Sequence, residues 1–416
     1  MRRPSAKWLL VGMLLLFFVG LVCLPRRPVQ RARLALQPPP GVAHLPPIRV
    51  SLTPELVTTA TVQVDVPFRV TPVGSSQVLF RQARVAKSVI TLTANGFRWG
   101  TRILAVPRIE IIPDGDGAAW VGDREYRGKI QLIRQPGGRL LITNVVPLED
   151  YVAGVVDSEM PQEFGLEARK AQAIVARSYA LAQMQSAGRS TLFDLYATTR
   201  SQKYNGRRYL ASDGRLLAGD SSESRQIAYE TAGMVCTDRG RLFCTYYSAV
   251  CGGSTSLGSD FFSDAAPPHK CVPCQWCSES PLHRWQATLT NTRLQASLQK
   301  YWTAKGTKFG TLKTITVGPV PHAGGVSEVT LSDGRQTLTL PATAFRRAIG
   351  TSDLYSHHFQ ITRDGTNWVF QGAGHGHGVG LCQWGARGLA KSGKNYLQIL
   401  GFYYPGSRVV VLSEGS

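Results

Sequence analysis

The chain reads as an α+β protein, β-rich with a small helical segment and preceded by an N-terminal transmembrane helix. Three observations predict this. Short apolar or β-branched runs broken by glycine- and proline-bearing turns recur along most of the length. Residues from Leu148 to Gln185 carry helical spacing instead. Trp8 to Leu24 is an apolar stretch without a charge. With 416 residues, 43% of them hydrophobic, the chain can bury two or three real cores. Its 42 glycines and 24 prolines therefore mark turns rather than a disordered polymer.

Taken in order, residues 1–24 form the expected anchor. At about 1.5 Å per residue, the run between Lys7 and Arg26-Arg27 just spans a bilayer core. A cleaved signal peptide is the alternative, but no small-x-small cleavage signal precedes Pro25. The large body after a short tail predicts tail inside and body outside, a single-pass protein of the cell membrane with an extracytoplasmic body. Residues 25–47, with Pro38-Pro39-Pro40 and Pro46-Pro47, predict a stiff spacer. Residues 48–141 predict a β-rich domain or insert, with strands at Thr61–Val66, Ser88–Thr93, Ile103–Ile112, Lys129–Ile133 and Leu140–Thr143.

The character changes in the 142–410 region. Pro147 precedes a helix with Leu148, Tyr151, Val152 and Val155 on one side. Pro161 ends it and biases Met160 away from helical geometry, which puts Glu159 at the helix C-terminus on a turn. A second, alanine-rich helix follows from Leu166 to Gln185. Asp238-Arg239-Gly240 predicts a hairpin turn with Cys236 and Cys244 on its arms. Trp285–Thr290, Thr314–Val317 and Leu338–Leu340 read as strands and Thr343–Ile349 as a short helix. After the glycine-dense stretch Gly372–Gly380, Gln383–Ala390 and Tyr396–Tyr403 read as helices.

The formal net charge is +20, and seven of the basic residues lie in the first 33 positions without an acidic companion. The rest of the excess is diffuse, a surface that attracts polyanions such as anionic lipid or acidic wall polymer. There is no zinc-finger spacing, helix-turn-helix pattern or long charge run, so nucleic acid is not the expected partner. The glycine stretch does not end in Lys-Ser/Thr and lacks dinucleotide spacing, so no nucleotide cofactor is expected.

Three constellations could carry chemistry. Glu159 at a helix C-terminus faces the negative pole of the dipole, and Met160 and Phe164 beside it could desolvate it. Both effects raise a carboxyl pKa, as a general acid requires. Glu149, Asp150 and Glu163 are close in sequence, so residue physics does not single out one carboxyl. The cysteines form the second: six lie between Cys236 and Cys277, and Cys274 and Cys277 have a two-residue gap suited to one tetrahedral ion. Cys251 with Cys274, Cys277 and either Cys271 or His269 would make a structural zinc site; disulfides, including Cys236 with Cys244, are the competing reading. Third, His375 and His377 stand two apart between glycines, with no third ligand evident beside them.

Several of these motifs, in order, resemble the stage II sporulation protein D family, also called the amidase-enhancer family of cell-wall proteins. The resemblance is carried by Asn144 to Val156, Ser158-Glu159-Met160-Pro161, Glu167 to Ala180, Asp194 and Gln202-x-Tyr204. It continues in Cys251-Gly252-Gly253, Cys274-Gln275-Trp276-Cys277 with Ser280-Pro281, and Gly376-His377-Gly378-Val379-Gly380 leading to Gln383-Trp384-Gly385-Ala386. It implies a lytic transglycosylase acting on peptidoglycan glycan strands stripped of peptides, with Glu159 as the general acid/base. It also implies Gln202 and Tyr204 as sugar contacts, and His377 and Gln383 lining the cleft. Family members hold zinc with cysteine and histidine. Here Ser248 and Ser254 stand where histidine is frequent, so Cys271 would complete an all-cysteine site with Cys251, Cys274 and Cys277. The same family implies an alternative: a non-enzymatic wall-binding enhancer of an N-acetylmuramoyl-L-alanine amidase, with that amidase as partner.

Overall fold

The computed structural model describes residues 45–188, 191–262, 270–304, 306, 308–318 and 325–413. Strands predominate, and seven α-helices lie among the described residues: α1 (Leu148–Glu159), α2 (Leu166–Ala187), α3 (Ser222–Glu230), α4 (Asn291–Ala304), α5 (Ala342–Ile349), α6 (Gln383–Lys391) and α7 (Tyr396–Tyr403). The architecture is α+β with mixed sheets. The membrane part of the expected fold class is corrected. The anchor at 1–24 and residues 25–44 of the spacer lie outside the described residues, and no described helix is long and apolar enough to cross a membrane. The longest, α2, has 22 residues, but it carries Arg169, Lys170 and Arg177 and is spent on packing inside the protein. The single-pass location and the membrane contact expected from the anchor are withdrawn with it.

Two large sheets and the early helices share the first core. A seven-stranded sheet has the hairpin Lys129–Gln135/Arg139–Val146 near its middle, and Ile48–Ser51 pairs with the second arm with Val50 opposite Asn144. An eight-stranded sheet contains Thr59–Val64, Val85–Leu92 and Arg124–Arg127. Ile48, Val62, Ile90, Ile111, Leu132 and Ile142 from the sheets are buried together with Leu148, Tyr151, Val152 and Val155 of α1. The 48–141 strands thus pack directly on the helical segment.

The alanine content of α2 explains its position. Ala173, Ala176 and Ala180 enter the first core, while Ala168, Ala171, Ile174 and Val175 enter a second with α6 and α7. A helix apolar on nearly all sides is a buried one, and its small side chains let neighbours approach. Its two fully buried arginines are each matched to a carboxylate. Arg177 Nη2 donates to Glu149 Oε2 at 2.5 Å and to the Ala228 carbonyl at 2.9 Å; Arg169 pairs with Asp157 and Glu223. These pairs fasten α1 and α3 to α2.

The hairpin at Asp238 forms as expected, with Arg239 and Gly240 at positive φ (50° and 77°) between paired Asp238 and Arg241, the geometry of a type I′ turn. Between Trp285 and Phe370 lies a third core. Here α4 is an addition to the sequence reading. Only Leu294, Leu298 and Trp302, four apart, bury from its 14 residues, a narrow stripe in an otherwise polar segment.

Candidate functional site

Glu159 is the last residue of α1. Pro161 holds Met160 extended (φ −130°, ψ 114°), so the chain leaves the helix immediately after the glutamate. The neighbouring acids are otherwise engaged: Glu149 with Arg177, Asp157 with Arg169, and Asp150 beside Arg225. The Glu159 carboxyl instead accepts from the Lys203 backbone N–H at 2.8 Å. Burial raises its pKa above the ordinary 4.5; the Lys203 N–H and the side chains of Tyr247 and Gln383, which face it, oppose that rise.

Each of these neighbours is positioned from behind. Asn205 N–H donates to Ser158 Oγ at 3.1 Å, strapping the 202–205 loop to the end of α1. Gln202 is fully buried and accepts from the Tyr151 hydroxyl at 3.0 Å. Tyr204, 3% exposed, donates to Asn144 Oδ1 at 3.1 Å. Its ring lies 2.6 Å from where a Cβ on Gly154 would fall. The structure thus places Gln202 and Tyr204 as supports of the loop, and the group the loop presents to Glu159 is the Lys203 amide. Gln383, 5% exposed, opens α6 and lies 3.4 Å from the buried Gln172 side chain. A short parallel bridge, Tyr247 opposite Leu381 and Ser248 opposite Cys382, fixes Tyr247 beside it.

The same bridge leads into the cysteines. Cys251, Cys274, Cys277 and Cys382 are all buried, with their sulfurs within 4.8 Å of one another. The Cys251–Cys277 sulfur separation is 3.6 Å, close to the edge of about 3.8 Å that Zn–S bonds of about 2.3 Å set in a tetrahedron. The sulfurs also receive the hydrogen bonds that metal-bound thiolates take. Cys382 Sγ accepts from the N–H groups of Cys251 (3.2 Å) and Gly385 (3.3 Å), the latter at the N-terminus of α6. Tyr403 Oη lies 3.2 Å from Cys274 Sγ, and His283 Nδ1 lies 3.4 Å from Cys277 Sγ. The Cys277 thiol is pulled well below its ordinary pKa, first by the Cys251 thiol and then by Cys274 and Cys382. This donor set fits a structural zinc ion.

Cys271 does not join the cluster; it is only half-buried, on the approach to the Cys274 loop, and Cys382 takes the fourth corner. His269 lies outside the described residues. Cys236 and Cys244 lie on and beside their hairpin with no disulfide between them. Cys382 stands 105 positions from Cys277, so spacing could not recruit it; its signal was its place immediately before a helix start. Tyr247 and Lys203 carried no sequence signal.

The histidines of the glycine stretch take separate roles. His377 Nδ1 accepts from the Val379 N–H at 3.0 Å, and burial between Tyr246 and Phe262 pushes its pKa down to about 4. His375 pairs its backbone with Val250, and neither ring belongs to a metal cluster among the described residues. Gly380, at φ 71°, lies so close to the Tyr246 carbonyl that a Cβ would sit 1.9 Å from its oxygen.

The profile of a family described as Stage II sporulation protein matches residues 137–237, and that of a domain of unknown function matches 276–380. An uncharacterized protein of Brachyspira hyodysenteriae is 30% identical over 286 residues, 69% of this chain and 72% of its own. Stage II sporulation protein D of Bacillus subtilis is 29% identical over 272 residues, 64% of this chain and 74% of its own. The chain belongs to the stage II sporulation protein D and amidase-enhancer family. The family's Amidase enhancer of Bacillus subtilis is 25% identical over 298 residues, 61% of this chain but 39% of its own.

Membership corrects the expected activity. These relatives are named for sporulation or for enhancing an amidase, and none of these names denotes a strand-cutting enzyme. The lytic transglycosylase reading, with Glu159 as its acid/base, gives way to the enhancer alternative. The family profile spans α1 to α3, so Glu159, Gln202 and Tyr204 fall inside it, while the four clustered cysteines lie beyond its C-terminal end.

Proposed function

We propose that this chain is a cell-wall-binding protein that enhances an N-acetylmuramoyl-L-alanine amidase, holding peptidoglycan glycan at the Glu159 site without cutting it. The observation that carries the reading is the convergence of neutral donors and one carboxyl on a braced frame. Glu159, Tyr247, Gln383 and the Lys203 amide come from four separate parts of the chain. Such mixed donors and an acceptor match the hydroxyls and acetamides of a sugar chain. The likeness to an amidase enhancer supplies the partner. Zinc holds the frame: Cys251 follows Tyr247 by four residues and Cys382 directly precedes Gln383.

The test is stem-peptide release from purified sacculi by an added amidase, with and without this protein. The expected result is faster release with wild type and a smaller stimulation with Glu159→Gln. Strand cleavage products formed by this protein alone, or release unchanged by its presence, would overturn the reading.

A further inference from the structure

The segment that matches the domain of unknown function carries a surface that the Glu159 site does not use. Strands Trp285–Thr290, Asn367–Gly372 and Phe359–Asp364 form an antiparallel sheet. Its register sets Gln286 opposite Gln371, and Gln371 opposite Gln360. Three glutamines therefore lie in one row across three strands, spanning about 10 Å. The alternate face, with Trp285, Leu289, Phe359, Trp368 and Phe370, is buried in the third core, which leaves the glutamine face outward. All three glutamines are exposed, and Gln371 Nε2 donates to Gln286 Oε1 at 3.2 Å.

This row lines a groove of about 750 Å³ together with Gly252, Arg284 and His358. Arg284 is the one permanent charge among the described residues lining it. Its guanidinium is fixed by donating to the carbonyls of Gly252 (2.7 Å) and His283 (2.9 Å). His358 is held by Ser256 Oγ at 3.0 Å. A polyanion would call for several cations, and an apolar peptide for a floor of apolar groups alone, whereas Trp285, Phe359 and Ala373 here share the lining with the glutamine row. Instead, each glutamine offers a carbonyl acceptor and an amide donor without charge. That pattern complements a polymer whose repeating groups are themselves hydroxyls and acetamides.

We propose that this groove binds a stretch of N-acetylated hexosamine polymer, a second glycan contact made by Gln286, Gln360, Gln371 and Arg284. The proposal rests on the wall-binding reading above but uses different residues. It is tested on the full chain with a soluble probe, the β-1,4-linked N-acetylglucosamine hexamer, and with the glucose hexamer lacking acetamides, by titration calorimetry. Replacing Gln286, Gln360 and Gln371 together by alanine, all exposed positions, is expected to weaken hexamer binding about tenfold or more with an unchanged melting temperature. Glu159→Gln should leave the remaining groove affinity in place. A triple variant that binds the hexamer like wild type, equal binding of the glucose hexamer, or no binding by wild type would each overturn the groove. A protein that still stimulates the amidase in those cases keeps the enhancer reading. One that binds through the groove without stimulating the amidase loses that reading and keeps the groove.

Discussion

Glu159 differs from Glu149 and Asp157 in one physical respect: its carboxyl has no buried arginine. Glu149 and Asp157 are matched to Arg177 and Arg169, so their charge is neutralised in place. Glu159 is met by an amide N–H and the side chains of Tyr247 and Gln383. Burial raises its folded-state pKa above the ordinary 4.5, so the folded chain binds this proton more readily than the unfolded chain does. Ionising the group then weakens the fold as pH rises past 4.5. Glu159→Gln should melt near wild type below about pH 4 and increasingly above it as pH rises, by thermal scans across that range. A variant that loses stability relative to wild type on going from pH 4 to 7 would show an ionised carboxyl favoured by the fold. The sequence put this residue at a helix end because Pro161 follows it. What it could not convey is the arginine pairing of the other acids, which joins residues 12 and 28 positions apart on separate helices.

At the scale of elements, α2 is the axle of the site. Its alanines admit neighbours on two sides and its arginines reach through to α1 and α3. Arg177→Ala would strand Glu149 as a buried charge without its partner, and such losses cost about 3–5 kcal/mol. The expected outcome is a fall of that size in chemical-denaturation stability, partly recovered when Glu149→Gln is added. No recovery in the double variant would mean that the pair is not the source. Both helices flanking Glu159, and α6 and α7, were legible from periodicity and proline placement. The helix α4 was not: it runs on directly from the strand Trp285–Thr290, with no proline to mark its start. The Tyr247–Leu381 bridge was equally hidden, because parallel pairing between residues 134 positions apart leaves no local mark.

For the molecule as a whole, the number of bound metal ions is the decisive quantity. Native mass spectrometry should find one zinc per chain in wild type and in Cys271→Ser, and none in Cys382→Ser. Retention of zinc by the Cys382 variant would place the fourth ligand elsewhere. Cysteine crowding made a metal legible, but proximity along the chain favoured Cys271 over the residue that folding delivers.

That fourth ligand has a thermodynamic corollary. Cys251 and Cys382 are 131 residues apart, and the whole 276–380 module except its first two residues lies between Cys277 and Cys382. An ion shared by these sulfurs acts as a cross-link at the root of a long loop, and closing a loop of that length removes about 5 kcal/mol of unfolded-chain entropy at room temperature. Demetallation would thus loosen the module at both of its roots in one event, and limited proteolysis after chelation should nick the chain at the two junctions together.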